Sequence, residues 1–248
     1  DGSSTISGAM TLGGNAAIDV ANAKTLSYTS TAVSLGTRKL TLPGAGTLAT
    51  TNAFNLNNAS SQLEISGTGT LNKATVSANL NTGITISESS TITALTLGAA
   101  APVLIADGKN LSGSVSINSG GTLKLTQTGR LASTVTLNGG TLDIDESLTS
   151  SGAYTLSADS TVDVANTKTL TYSGAALALG ANTLTLTGAG ALANANALTL
   201  DNADSVLKVT GTNTISGAVA LNAGKLDIDG SSTISGVMTL GGNAEIDM

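Results

Sequence analysis

The last twenty residues of this chain nearly repeat its first twenty. Asp1–Val20 reads DGSSTISGAMTLGGNAAIDV and Asp229–Met248 reads DGSSTISGVMTLGGNAEIDM, so the two segments differ at three positions and are related by a shift of 228 residues. A segment cut from a periodic array ends as it began, whereas a globular enzyme has no reason to do so. The sequence therefore predicts a 228-residue repeat, with the next copy starting at residue 229.

A second, shorter repeat lies within the 228-residue repeat. Ile18–Tyr28 (IDVANAKTLSY) returns as Val162–Tyr172 (VDVANTKTLTY), a shift of 144 residues. Beneath both echoes, an apolar-x-apolar triplet recurs about every 21 residues. In a strand the two flanking residues of such a triplet share one face and the middle residue points to the other. We call this series the first ladder, and its triplets begin at Ile18, Leu40, Leu63, Ile84, Val103, Leu123, Leu142, Val162, Leu184, Leu207, Leu226 and Ile246.

Two further series accompany the first ladder. The triplets of the second ladder begin at Met10, Val33, Phe54, Val76, Leu95, Val115, Val135, Tyr154, Leu177, Leu198, Val219 and Met238. The third ladder is a less regular apolar position at Ile6, Leu26, Leu48, Leu71, Ile92, Leu111, Leu131, Leu148, Leu170, Leu192, Ile215 and Ile234. Each unit of about 21 residues thus carries three strand-like segments, separated by Gly, Asn, Asp and Ser, which suit tight corners.

This pattern predicts an all-β fold. We expect a right-handed, single-stranded parallel β-helix (a β-solenoid) of triangular section, with about 12 rungs of about 21 residues and three short strands per rung. The right hand follows from the bias of parallel crossovers. Residues 1–248 would form a single continuous solenoid segment. A helical interpretation fails because no stretch sustains apolar residues at i, i+3, i+4 and i+7.

Composition restricts the core and the chemistry. Hydrophobic residues make up 40% of the chain, with one Phe, three Tyr and no Trp, so the predicted core is aliphatic. The absence of Cys and His excludes disulfides, thiolate metal sites and the commonest general base. The net charge is −6 and the ten basic residues are scattered, so we expect no nucleic-acid partner. The most apolar window, Ala94–Ala106, is too short to span a bilayer, so we expect no membrane insertion in this segment.

One stretch calls for a comparison with a known family. Thr210–Ile228 (TGTNTISGAVALNAGKLDI) resembles the passenger-associated repeat of bacterial autotransporters, and Ser112–Leu125 and Ser133–Ile144 are related pieces. The Thr-, Ser-, Asn- and Gly-rich texture of the whole chain is also similar to that of filamentous-haemagglutinin-like adhesins. The resemblance implies a right-handed β-helix exported across the outer membrane, and hence an extracellular location at the bacterial cell surface.

The outward residues of the first ladder include several acids. Stacking would place Asp143 beside Asp163 and Asp227 beside Asp247, one strand spacing apart. Such pairs could bind Ca²⁺, which takes oxygen ligands, or act as an acid/base pair like those of glycan-cleaving β-helices. The simpler interpretation is a solvated face on which lysines offset neighbouring acids. We therefore predict no catalytic residue and no cofactor, with Ca²⁺ as the weaker alternative.

The outward residues of the second ladder are almost uncharged and rich in hydroxyls. Threonine suits a strand, so this row has a purely structural explanation. It could also serve for lateral packing between fibres, or for binding ice or glycans. The candidate lateral-contact face consists of Thr11, Thr96, Thr136, Thr155, Thr199 and Thr239.

These observations predict a structural protein and not an enzyme. We expect a shaft segment of an extracellular bacterial surface fibre or adhesin, acting by length, stiffness and assembly. The alternative is an adhesive module that uses the Thr/Ser face. Because the first and last rungs follow the ordinary pattern, we expect open ends that meet copies of the chain, or its continuation, end to end, with sister fibres as lateral partners.

Overall fold

The computed structural model describes residues 2–248, so Asp1, the first residue of the echo, lies outside the described residues. These residues form short strands and turns and contain no helix. The strands are β1 (Ser4–Ile6), β2 (Ala16–Ala17), β3 (Thr25–Tyr28), β4 (Val33–Ser34), β5 (Lys39–Leu42), β6 (Thr47–Thr50), β7 (Phe54–Leu56), β8 (Gln62–Ile65), β9 (Thr70–Val76), β10 (Gly83–Ile86), β11 (Ser90–Leu97), β12 (Ala100–Ile105), β13 (Asn110–Asn118), β14 (Thr122–Leu125), β15 (Arg130–Leu131), β16 (Thr134–Asn138), β17 (Thr141–Ile144), β18 (Leu148–Ser150), β19 (Tyr154–Ala158), β20 (Ser160–Val164), β21 (Thr169–Tyr172), β22 (Leu177–Ala178), β23 (Thr183–Gly188), β24 (Ala191–Asn194), β25 (Leu198–Leu200), β26 (Val206–Val209), β27 (Thr214–Ile215), β28 (Val219–Ile228), β29 (Thr233–Ile234) and β30 (Met238–Asp247).

The strands pair in parallel with their counterparts in the next turn, except that β19 does not pair with β22 in the second ladder. In successive turns Leu40 lies opposite Leu63 in the first ladder, and Leu26 lies opposite Leu48 in the third. In the second ladder the strands β4 and β7 pair in the same way. The fold is therefore a β-solenoid of about 12 turns of about 21 residues, which confirms the predicted fold class.

Some strands continue around a corner of the coil. β9 pairs with β6 at its start and with β7 at its end, so it belongs to the third and then the second ladder. β28 likewise pairs with β25 and then with β26, which links the second ladder to the first. These long strands join neighbouring faces, so the coil is held together by backbone pairing at several corners as well as by its core.

The interior is one continuous cluster of aliphatic side chains, as the composition predicts. Leu40, Ile84 and Leu123 of the first ladder are fully buried, and Phe54, the one phenylalanine, is fully buried in the second. Each side chain packs on its equivalent in the turns above and below, because parallel strands stack like residues one spacing apart.

The predicted register is wrong by two residues at several steps. In the first ladder Ala16, not Ile18, lies opposite Leu40. In the second ladder Ala74, not Val76, lies opposite Phe54. The remaining shifted pairs are Ala101 with Leu123 and Ser160 with Leu184 in the first ladder, Ala74 with Leu95 in the second, and Ser4 with Leu26, Ser90 with Leu111 and Ser150 with Leu131 in the third. A shift of two keeps the same side chains facing the core, so the alternation of apolar residues does not distinguish the two registers.

The 144-residue echo is structural as well as sequential. The shifted pair Ala16–Leu40 recurs 144 residues later as Ser160–Leu184. In both copies a buried serine hydroxyl donates to the carbonyl of a corner glycine 25 residues earlier; the donors are Ser61 and Ser205. Equivalent sequences thus build equivalent corners, including their irregular register.

Candidate functional surfaces

Lysines bridge the acidic residues of the first ladder. Asp143 and Asp163 are register neighbours, as predicted, but Lys124 Nζ lies 3.0 Å from Asp143 Oδ2 and 2.7 Å from Asp145 Oδ2. The same arrangement recurs farther along the coil, where Lys208 Nζ lies 3.2 Å from an oxygen of Asp227. There the second carboxylate is that of Asp229, at 2.6 Å. Each lysine is therefore held between two carboxylates of the following turn.

The protonation behaviour of these groups follows from their partners. Hydrogen bonds to Asp145 and Asp143 raise the pKa of Lys124, against the opposing effect of burial. Burial raises the pKa of Asp143, with smaller contributions from its neighbours Asp145 and Asp163, and Lys124 offsets part of this rise. At the end of the ladder, the hydrogen bond from Lys225 lowers the pKa of Asp247, which lies 2.7 Å from the lysine.

This geometry suits a solvated ionic face better than a calcium site. Calcium takes six to eight oxygen ligands, whereas each predicted pair supplies two carboxylates with a lysine beside them. Asp227 also lies opposite Asp247, but lysines contact both carboxylates. Across residues 2–248 no group of three or more Asp or Glu side chains is arranged to hold a metal ion. The predicted calcium and acid/base alternatives thus gain no support from the arrangement of these residues.

The hydroxyl row of the second ladder lies on one face of the coil. Thr96, Thr136 and Thr155 follow one another in register, with Ser116 between the first two. In the later turns Ala220 lies in register between the predicted residues Thr199 and Thr239. Thr11 is exposed in the first turn and lies outside the strands. We call this row the hydroxyl face. The two-residue shift described above places Thr75 in this row where the sequence predicts Ser77.

A shallow recess on the third ladder escaped the sequence analysis. It has a volume of about 300 Å³ and is lined by Asp107, Thr128, Arg130, Ser147, Thr149, Thr169 and Thr171, among other residues. Arg130, Thr149 and Thr171 follow one another in register. In the sequence the third ladder is a single apolar position in each turn. One position does not indicate which of the neighbouring residues point outward.

The first and the last turn of the described residues each pair with one neighbouring turn. β1 pairs with β3, and β29 pairs with β27. Within residues 2–248 every exposed large hydrophobic side chain lies in the first or the last turn. The exposed fractions are 38% for Ile6, 74% for Val237, 57% for Leu240, 42% for Ile246 and 92% for Met248.

Comparisons with protein-family models, with curated proteins and with solved structures found no match for this chain. The part of the chain that the structure describes holds no helix with the length and hydrophobicity needed to cross a bilayer.

Proposed function

We propose that this chain is a structural shaft segment of an extracellular fibre or adhesin on a bacterial surface. The observation that carries the proposal is the uninterrupted coil: one apolar core and parallel strand pairing run from turn to turn along residues 2–248, and the sides of the coil expose polar residues. The resemblance to autotransporter passengers and haemagglutinin-like adhesins supports the location.

A shaft works by length and stiffness, and the fold is suited to both. Each turn adds one strand spacing of about 4.8 Å, so one 228-residue repeat of eleven turns adds about 53 Å. The core runs through the coil as one cluster, and the strand pairing passes from turn to turn without a linker. Bending would have to break parallel pairing on one of the three faces.

The test is to lengthen the chain by whole repeats. Adding one or two further copies of residues 21–248 after Met248 should give straight rods whose length in electron micrographs rises by about 53 Å per copy. A control chain with a flexible Gly/Ser linker between copies should bend at the linker. Chains of extra copies that form compact globules, or strings as flexible as the control, would refute the shaft.

The hydroxyl face supports a second candidate function, an adhesive module for glycans, ice or sister fibres. Its outward residues carry no charge over several consecutive turns, which gives a neutral surface. Replacing Thr136, Thr155 and Thr199 together with Lys should then abolish cell clumping or ligand retention. The matched control replaces Thr91, Thr149 and Thr171 on the third ladder. Equal behaviour of the two triple variants would remove this candidate and leave the shaft untouched.

A further inference from the structure

We infer that the recess on the third ladder binds a sugar unit that carries one carboxylate, as uronic and sialic acids do, and that Arg130 holds this carboxylate. The volume of the recess, about 300 Å³, lies at the lower end of the range for small-molecule sites. The recess lies on the side of the coil, well inside the chain, and its chemistry does not depend on the shaft function.

Arg130 is a cation without a counter-ion between two cations that have one. Lys109 Nζ lies 2.6 Å from Glu88 Oε2 in the preceding turn, and Lys168 Nζ lies 2.6 Å from Glu146 Oε2 in the same way. All three cations lie where the chain enters the third ladder. None of the ion pairs within residues 2–248 involves Arg130. The described coil thus leaves one positive charge at this corner without a carboxylate in contact with it.

The neighbours of Arg130 leave its guanidinium accessible to a ligand. In register, Arg130 lies between Asn110 and Thr149, which carry no charge. The acid that lines the recess, Asp107, accepts a hydrogen bond from the hydroxyl of Thr128 at 3.1 Å. Arg130 itself is exposed. Because a guanidinium presents its N–H donors as a planar fork, it fits the two oxygens of one carboxylate.

Hydroxyl groups line the part of the recess next to Arg130. Thr149 and Thr171 follow Arg130 in register, at one and two strand spacings from it, or roughly 5 and 10 Å. The hydroxyl of Ser147 accepts the amide of Thr169 at 3.0 Å, which leaves its own proton for a further acceptor. A hydroxyl both donates and accepts, so this row matches the hydroxyl groups of a sugar ring. A carboxylate bound at Arg130 would place the ring beside them.

The charges favour a sugar with a single carboxylate over both a neutral sugar and a densely charged polymer. A neutral sugar would forgo the charge-assisted hydrogen bonds that Arg130 offers. A polyanion would be repelled at long range by a chain of net charge −6, and Asp107 would repel a second anionic group inside the recess. No aromatic residue lines the recess, so binding rests on hydrogen bonds, and we expect a dissociation constant on the order of millimolar.

Titration with simple glycosides tests the site. The full chain, labelled with ¹⁵N, is titrated with methyl glucuronide while the NMR signals of its amides and arginine side chains are followed. Methyl glucoside, in which an uncharged hydroxymethyl group replaces the carboxylate, is the matched neutral probe. We expect saturable shifts at Arg130, Thr149 and Thr171 with the glucuronide, and binding of the glucoside that is weaker by about tenfold or more. Equal binding of the two glycosides would overturn the inference.

Substitutions of the two arginines locate the bound carboxylate. Arg130→Gln should weaken glucuronide binding about tenfold, and Arg130→Lys, which keeps the charge but loses the fork, should lie between this variant and the parent. Arg38→Gln changes the other arginine of the chain, which does not line the recess, and should bind as the parent does. Both arginines are exposed, so the variants should stay folded by circular dichroism. Undiminished binding in Arg130→Gln, or an equal loss in Arg38→Gln, would refute the site.

Two further probes separate the sugar from its carboxylate. Sodium acetate carries the carboxylate without the ring and should bind about tenfold more weakly than the glucuronide; equal binding would show an adventitious anion site only and would overturn the sugar ligand. The methyl glycoside of sialic acid is titrated beside the glucuronide, and the tighter of the two identifies the kind of acidic sugar. No saturable shift with either would contradict the inference. Such a failure leaves the shaft untouched, because the length and stiffness of the coil do not involve Arg130.

Discussion

Two tyrosine rings pack together inside the solenoid, with centroids 4.5 Å apart. The hydroxyl of Tyr172 donates to the carbonyl of Ala175 at 2.7 Å and accepts from the amide of Tyr154 at 3.1 Å. The hydroxyl of Tyr154 is buried and makes no hydrogen bond of good geometry, although the side chain of Ser150 interacts with it. An unpaired buried hydroxyl costs free energy, whereas a paired one contributes to stability. The hydroxyl of Tyr172 should therefore stabilise the fold, whereas the hydroxyl of Tyr154 should destabilise it.

Removing each hydroxyl should therefore have opposite effects. We expect Tyr154→Phe to raise the free energy of unfolding by about 1 kcal/mol and Tyr172→Phe to lower it by about 1 kcal/mol. Urea unfolding followed by circular dichroism measures both, and each variant is the other's control for loss of a phenol. A destabilised Tyr154→Phe would mean that its hydroxyl has a partner.

The stability of the fold at alkaline pH should also depend on these two tyrosine hydroxyls. Burial raises the pKa of both Tyr154 and Tyr172 above the ordinary value of 10.0, so the unfolded chain releases these protons at a pH where the folded chain retains them. Stability should then fall as the pH rises above about 10, because the folded state binds more protons. Unfolding measured from pH 9 to pH 11 should show a shallower fall in Tyr154→Phe than in the parent chain. An equal fall in both would contradict the shift.

Although Asp143 contacts a lysine, its carboxylate should lower the stability of the fold at neutral pH, which is the opposite of what an ordinary ion pair does. Burial raises its pKa, so its charged form is less favourable in the folded state than in water, and this carboxylate lowers stability once the pH exceeds its folded pKa. We expect Asp143→Asn to be more stable than the parent at pH 7, since Lys124 still has Asp145 at 2.7 Å. The difference should shrink as the pH falls below 4. Asp145→Asn, in which the closer partner of Lys124 is lost, is the control.

At the scale of the strand, alternation in the sequence predicted the faces but not every register. Leu40, Leu63 and Ile84 are paired as predicted, because each turn there carries the same apolar-x-apolar triplet. At Ala74 the pairing shifts by two residues, since a shift of two buries residues of the same parity and the choice depends on corner geometry. The sequence therefore predicted where the hydroxyl face lies but not every residue that belongs to it. The recess around Arg130 could not be predicted, because it depends on a strand register that the local sequence does not determine.

Corner geometry can be tested at two glycines with positive φ. Gly113 has φ +111° within β13, and a Cβ there would collide with the carbonyl oxygen of Ile92 in the turn before. Gly108 has φ +70° at an open corner with no heavy atom nearby. We expect Gly108→Ala to cost about 1 kcal/mol and Gly113→Ala about 3 kcal/mol or more. Chemical denaturation measures both, and equal costs would show that backbone strain alone matters.

At the scale of the whole molecule, stability should be graded along the axis. In a coil where each turn contacts only its neighbours, an interior turn is held by two interfaces and a terminal turn by one. Leu123 and Leu142 in the middle are fully buried, whereas Ile6 and Ile246 at the ends are 38% and 42% exposed. Opening should therefore begin at the ends and advance inward, because the free energy of local opening is lowest where the fewest contacts are lost.

Hydrogen exchange followed by mass spectrometry tests this gradient. Amides of β1 and of β29 should exchange fastest and those of β14 and β17 slowest, since the inner strands are paired on both sides. Uniform protection along the axis would contradict the graded stability.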